Sequence, residues 1–195
     1  PKWIVGFSDI TALHLEASRA SVASLHANNL AGLGRGDARA REEWLAALEK
    51  PLTRRHLTGL VTYRGGVAAG TLFGGNLTVL FTAAAAGRLA IPPGSVLLLE
   101  DVAEAPYRVD RMLSALIASG ALDGVAAVAL GDFTEAPPGR HGVPIEDVLR
   151  ERLEQLRVPV VAGLSVGHGR RNLPVHLGLM VQVDASAGTL TFGYG

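Results

Sequence analysis

Cysteine is absent from this chain. That excludes disulfides, thiolate metal sites and a cysteine nucleophile, and it fits a reducing compartment such as the cytoplasm. Net charge is absent too, since 18 Lys and Arg residues balance 18 Asp and Glu. With no basic block anywhere, nucleic acid is not an expected partner. Long apolar runs are missing: a membrane span needs roughly 20 residues, and the best candidate, Leu77 to Ala86, is shorter and rich in alanine. No HExxH, Walker loop or GxGxxG fingerprint occurs, and no tight His/Asp cluster suggests a metal site. Gly163-Leu-Ser165-Val-Gly167 spells GxSxG, but Ser165, only three residues from His168, is not placed as an attacking group. No signal peptide is visible. The chain opens on Pro1-Lys-Trp3 rather than methionine, with an apolar run starting at once, so residues upstream are expected in the native protein.

What is present is a globular composition. The 195 residues are 48% hydrophobic and 18% charged, enough for one substantial core or for one domain plus part of another. Trp3 to Phe7 reads as a short buried strand. Ser8 and Asp9 offer caps to a helix whose apolar positions are Ile10, Leu13, Ala17, Val22 and Leu25. His26 to Asp37 reads as loop, and Ala38 to Lys50 as an exposed helix stopped by Pro51. Leu60 to Tyr63 and Val67 to Phe73, around Gly65-Gly66, resemble a β-hairpin or a tight strand pair. Asn76 suits the N-cap of a helix to about Ala86. Val96 to Leu99 is a continuous apolar strand of the doubly buried kind. Pro106 opens a helix with Val109, Met112, Leu113, Leu116 and Ile117 inward and Gly120 closing it. Val125 to Leu130 and Val158 to Leu164 are further strands, with a helix from Pro144 between them. Leu179 to Val183 and Thr189 to Phe192 form a terminal hairpin. This alternation of strands and helices defines an α/β fold.

Two ionisable residues stand just beyond apolar strands. Glu100 follows Val96-Leu-Leu-Leu99, at the carboxyl end of a strand, where open α/β sheets place their sites. His168 lies in Gly167-His-Gly169, where flanking glycines let backbone come close to a ligand. A carboxylate that orients a histidine is two thirds of a nucleophilic triad. Position alone leaves blander roles open: Glu100 or Asp101 capping the next turn, His168 bonded to a carbonyl. The other histidines (His14, His26, His56, His141 and His176) show no convergent pattern. Asp132, after another strand, shares the same edge or serves a turn. None of the nine serines is a convincing nucleophile. Ser8 has the best position, although Asp9 beside it favours a cap.

Several segments together resemble the LD-carboxypeptidases, a family that includes muramoyltetrapeptide carboxypeptidases and microcin-immunity peptidases. They are Gly6-Phe-Ser-Asp-Ile-Thr-Ala-Leu-His14, Gly74-Gly-Asn-Leu77, Leu98-Leu-Glu-Asp-Val102, Pro106-Tyr-Arg-Val-Asp-Arg-Met-Leu113, Gly131-Asp-Phe133 and Val161-Ala-Gly-Leu-Ser-Val-Gly-His168. Their order spans nearly the whole chain. The resemblance implies a serine hydrolase with a Ser-Glu-His triad that releases terminal D-alanine from murein tetrapeptide in cell-wall recycling, needing no cofactor. Glu100 and His168 match the triad glutamate and histidine. The serine would lie upstream of Pro1, in a flavodoxin-like N-terminal domain. Residues 1–40 then correspond to the last βα unit of that domain, 41–58 to a linker, and 59–195 to a swivelling β/β/α C-terminal domain. Asn76, Asp132 and Ser8 are the expected substrate contacts. Family members often pair, so a homodimer is an expected partner state beside the murein peptide and the missing domain. One departure is His26-Ala-Asn28, where many relatives have His-Gly-Pro. The alternative reading is a stand-alone remnant that binds a peptide or a partner protein without catalysis.

Overall fold

The structure, a computed structural model, describes residues 2–139 and 142–193. In chain order the elements are β1 (Val5–Gly6), a 3-10 turn (Ser8–Ile10), α1 (Thr11–Arg19), β2 (Ser24–His26), α2 (Leu30–Arg35), α3 (Ala38–Glu49), β3 (Arg55–Leu57), β4 (Val61–Arg64), β5 (Val67–Asn76), α4 (Leu77–Ala85), β6 (Val96–Val102), α5 (Pro106–Ala118), β7 (Ala127–Thr134), α6 (Ile145–Glu154), β8 (Val160–Ala162), β9 (Val175–Leu177), β10 (Met180–Asp184) and β11 (Thr189–Phe192). The fold is mixed α/β.

The larger sheet has eight strands in the order β3-β11-β10-β5-β6-β7-β8-β4. Its centre, β5 to β8, is parallel, and its flanks are antiparallel. β6 alternates its side chains between two cores. Leu97 and Leu99 join α4, α5 and α6 through Leu80, Leu113 and Leu149. Val96 and Leu98 join Val166, Val175 and Val183 on the opposite face. The strand is therefore buried on both sides, as its unbroken apolar run requires. The same alternation sends Glu100 and Asp101 to opposite faces.

The hairpin expected around Gly65-Gly66 does not form. β4 pairs antiparallel with β8, and β5 pairs with β6 and β10. The sheet curls until its last strand returns to the β10–β11 turn, where the Leu60 amide donates to the Gly188 carbonyl and the Thr62 hydroxyl to the Ala185 carbonyl. A two-residue link thus joins strands that lie far apart in sheet order.

The N-terminal segment also departs from expectation. α1 ends at Arg19, so Leu25 belongs to β2, and Leu13 and Val22 are exposed. The inner face of α1 is Thr11, His14, Leu15 and Ala17. Neither Ser8 nor Asp9 caps it; its N-cap position is Ile10, without a side-chain hydrogen bond. A smaller sheet, β1-β2-β9, joins the two ends of the chain: β1 runs parallel to β2, and β2 antiparallel to β9. Residues 41–58 hold most of α3 and all of β3, which pairs with β11. Among the described residues, no helix is long and apolar enough to cross a membrane.

Candidate active site

Glu100 ends the apolar run of β6 with its side chain fully buried. A lone buried carboxylate is costly. Here Oε2 accepts a hydrogen bond from Nδ1 of His168 at 2.8 Å. On the other side, Oε1 lies 3.8 Å from Nε2 of His26, also fully buried. Burial alone would raise the Glu100 pKa, but the neighbouring His168 and His26 outweigh it and hold the carboxyl below its usual range. The Glu100 hydrogen bond in turn raises the pKa of His168 above 6.5, against partial burial that works the other way.

The loop after β8 carries His168 and is braced at several points. The Leu164 amide donates to Leu130, Asp132 to Val166, and Leu173 to Ser165. The Gly167 amide donates to the side-chain oxygen of Asn172 at 3.0 Å. Gly167 has φ +121°, and a Cβ there would stand 2.6 Å from Glu100 Oε2. Only glycine allows both that backbone and that approach. The ring of Phe7 packs against His168, with centroids 4.8 Å apart. With Nδ1 bound to a carboxylate, the proton sits on Nδ1 and the lone pair on Nε2. No described residue hydrogen-bonds Nε2, so it is positioned to accept a proton from a reacting group.

The consecutive acids of β6 do different work. Asp101 points toward the start of α4, accepting from Thr78 N (2.9 Å), Thr78 Oγ1 (2.8 Å) and Asn76 Nδ2 (2.9 Å). Asn76 caps α4 by accepting from the Val79 amide, and its own amide donates to Thr11. Its side chain is buried and bonded at both ends. Asp132 lies on the site's rim, against Gly169, with Oδ2 buried and unpartnered. Burial raises its pKa, and the Glu100 charge adds to that, while Gly169 and His168 oppose it. Ser8 occupies the β1–α1 turn at φ +60°, next to the Phe7 that touches His168.

Two histidines read as patternless in the sequence converge here. His26 faces Glu100, and His14 stands behind it at a ring-centroid distance of 6.1 Å. His14 Nε2 donates to the Gly6 carbonyl, and Nδ1 accepts from Ser24. Burial pushes its pKa down to about 4, so it is neutral. β2 is three residues long, too short for periodicity to reveal; the only sequence signals were the His26-Ala-Asn28 departure and the position of His14 after the Gly6 turn. His56 and His176 are remote from Glu100, bonded to Thr191 and the Ala47 carbonyl. His141 lies outside the described residues. Among the described residues, no group of three or more His, Cys, Asp or Glu is arranged to hold a metal.

The family model of the LD-carboxypeptidase C-terminal domain matches residues 69–183, which include Asn76, Glu100, Asp132 and His168. The chain belongs to the LD-carboxypeptidase family. A Synechocystis protein named as a carboxypeptidase is 39% identical over 201 residues, covering 98% of this chain and 64% of that protein. The murein tetrapeptide carboxypeptidase of Pseudomonas aeruginosa is 35% identical over 184 residues, covering 88% of this chain and 59% of its own length. This chain therefore spans less than two thirds of these curated relatives. Among solved structures, the muramoyltetrapeptide carboxypeptidase of Oxalobacter formigenes superposes with a TM-score of 0.87 at 28% identity, over 99% of this chain and 68% of that one. The microcin C7 self immunity protein MccF superposes with a TM-score of 0.84 at 21% identity, which is a likeness of fold.

Proposed function

We propose that this LD-carboxypeptidase chain supplies the acid–base half of a Ser-Glu-His triad that releases D-alanine from murein tetrapeptide. The observation that carries the reading is the buried Glu100 bonded to Nδ1 of His168, with Nε2 left free. The relatives named as murein and muramoyl tetrapeptide carboxypeptidases support the substrate class. The serine comes from the native protein upstream of Pro1. β1 is an edge strand of its sheet, parallel to β2, and offers the place where an upstream parallel sheet continues.

The chemistry then follows. His168 Nε2 takes the serine proton as the hydroxyl attacks the carbonyl preceding D-alanine. The imidazolium next delivers that proton to the departing amine. Water repeats the cycle on the acyl-enzyme. Glu100 keeps the proton on Nδ1 and stabilises the imidazolium. Arg39, Arg170 and Asp37 line a cleft of about 380 Å³ that also includes Gly169; Arg39 is bonded to Glu43, so Arg170 is the proposed partner for a substrate carboxylate. Ser8 and Asp132, at the rim, are the proposed substrate contacts. Asn76, bonded at both ends, contributes through the backbone it fixes.

The test uses the protein with its upstream sequence. Glu100→Gln and His168→Ala should each lower D-alanine release at least a thousandfold. Full activity in either variant refutes the proposal. The 195-residue chain alone should release no D-alanine; release by this polypeptide, abolished by His168→Ala, would overturn the upstream placement of the serine.

A further inference from the structure

His26 ends β2 with its side chain wholly buried, and neither ring nitrogen has a hydrogen-bond partner among the described residues. Buried polar atoms without partners are rare and ask for an explanation. The Oε1 of Glu100 is equally buried and equally unpartnered. These two complementary groups face each other at 3.8 Å, about 1 Å beyond an ordinary N–H···O distance. His14, the nearest alternative partner from α1, has both nitrogens occupied by Gly6 and Ser24. Phe7 offers only the edge of its ring, 6.2 Å away between centroids. The other titratable groups around the pair are His168 itself, Asp101 and Glu135, whose charges also raise the His168 pKa, and Asp132, which lies against Gly169; none of them hydrogen-bonds His26.

We propose that His26 is a positioning residue for Glu100, carrying its proton on Nε2 and donating it to Oε1. The carboxylate is then gripped by two imidazoles, His26 on Oε1 and His168 on Oε2. The terminal torsion of a glutamate is broad, so one donor leaves the carboxylate free to swing and a second fixes its plane. At 3.8 Å the two groups need to close by only about 1 Å to reach ordinary hydrogen-bond length, a shift that small rotations of the two side chains supply without any substrate. The second donor also shares the carboxylate's charge, tempering how strongly Glu100 holds a proton on His168. This role rests on the reading of Glu100 and His168 as a catalytic pair.

The test is an NMR titration of His168 in the 195-residue chain, which needs no nucleophile. His26→Leu removes the donor, leaves more charge on Oε2, and should raise the proton affinity of His168 about threefold, or half a pH unit. His26→Gln keeps an N–H near the Nε2 position and should hold the wild-type midpoint. A packing role alone would lower stability in both variants without moving the midpoint. An unchanged midpoint in His26→Leu, or an equal shift in His26→Gln, overturns the proposal. Should the leucine variant not fold, long-range ¹H–¹⁵N spectra of the unmutated chain decide: a proton on Nε2 of His26 supports the role, and a proton on Nδ1 alone contradicts it. A null titration removes only the role of His26. Persistent activity in His168→Ala removes the reading beneath it.

Discussion

Residue by residue, the site is a balance between burial and partners. His168 has its pKa raised by Glu100. Its ionic contribution to stability is full below pH 6.5 and lost as pH rises through the higher folded value. For the proposed catalysis the requirement is opposite, since a general base must be neutral. If His168 is that base, the acid limb of kcat/KM in the protein with its upstream sequence lies above 6.5 and moves down in Glu100→Gln. An acid limb that ignores the glutamine would show that Glu100 does not govern His168. Gly167→Ala offers a steric counterpart. Its methyl would meet Glu100 Oε2 from a left-handed backbone, costing about 1–3 kcal/mol and returning the His168 midpoint toward 6.5. Chemical denaturation and NMR titration read both effects.

His14 makes a separate prediction. Its pKa is lowered to about 4, so between pH 6.5 and 4 the unfolded chain binds more protons than the folded one. Its contribution is full above pH 6.5 and lost as acid approaches pH 4, on the order of 3 kcal/mol. Urea midpoints at pH 7 and pH 5 should therefore differ less in His14→Gln than in the parent. An equal difference would place His14 in contact with water.

At the scale of elements, what the sequence revealed depended on length and on local partners. α5 announced itself through Pro106 and five inward residues, and four of those are buried with Ile117 packed against them. β6 announced itself as an apolar run. Asn76 was legible as a cap because capping is a local, three-residue interaction. The short strands β2, β3 and β9 were invisible, because each is specified by a partner distant in the chain. β4 and β5 depart from a hairpin for the same reason: Gly65-Gly66 gives a turn, but the choice of partner belongs to the curl of the sheet. Strand-end placement and the family resemblance single out Glu100 and His168, which the structure brings together, whereas His26 needed the pairing of β2 with β9. The split between Glu100 and Asp101 is testable here. Asp101→Ala removes the acceptor for Thr78 and Asn76 at the head of α4 and should cost about 3 kcal/mol. His168 should keep most of its raised pKa in that variant, because Glu100 is the main cause and the Asp101 charge a lesser one; a complete collapse of that shift would mean the two faces of β6 are coupled.

On the scale of the whole molecule, the small sheet binds the two ends of the chain together, and the large sheet presents Glu100 at the carboxyl end of its parallel core. His168 arrives on a braced loop from the next strand but one. The pair is thus built within one folded unit, while the proposed serine lies in the longer protein whose relatives extend beyond this chain. The measurement that tests this account most directly is D-alanine release from murein tetrapeptide by the protein with its upstream sequence, with and without His168→Ala. The account predicts steady release by the parent and a loss of at least a thousandfold in the variant, with circular dichroism unchanged. A variant that releases D-alanine at the parent rate would contradict it.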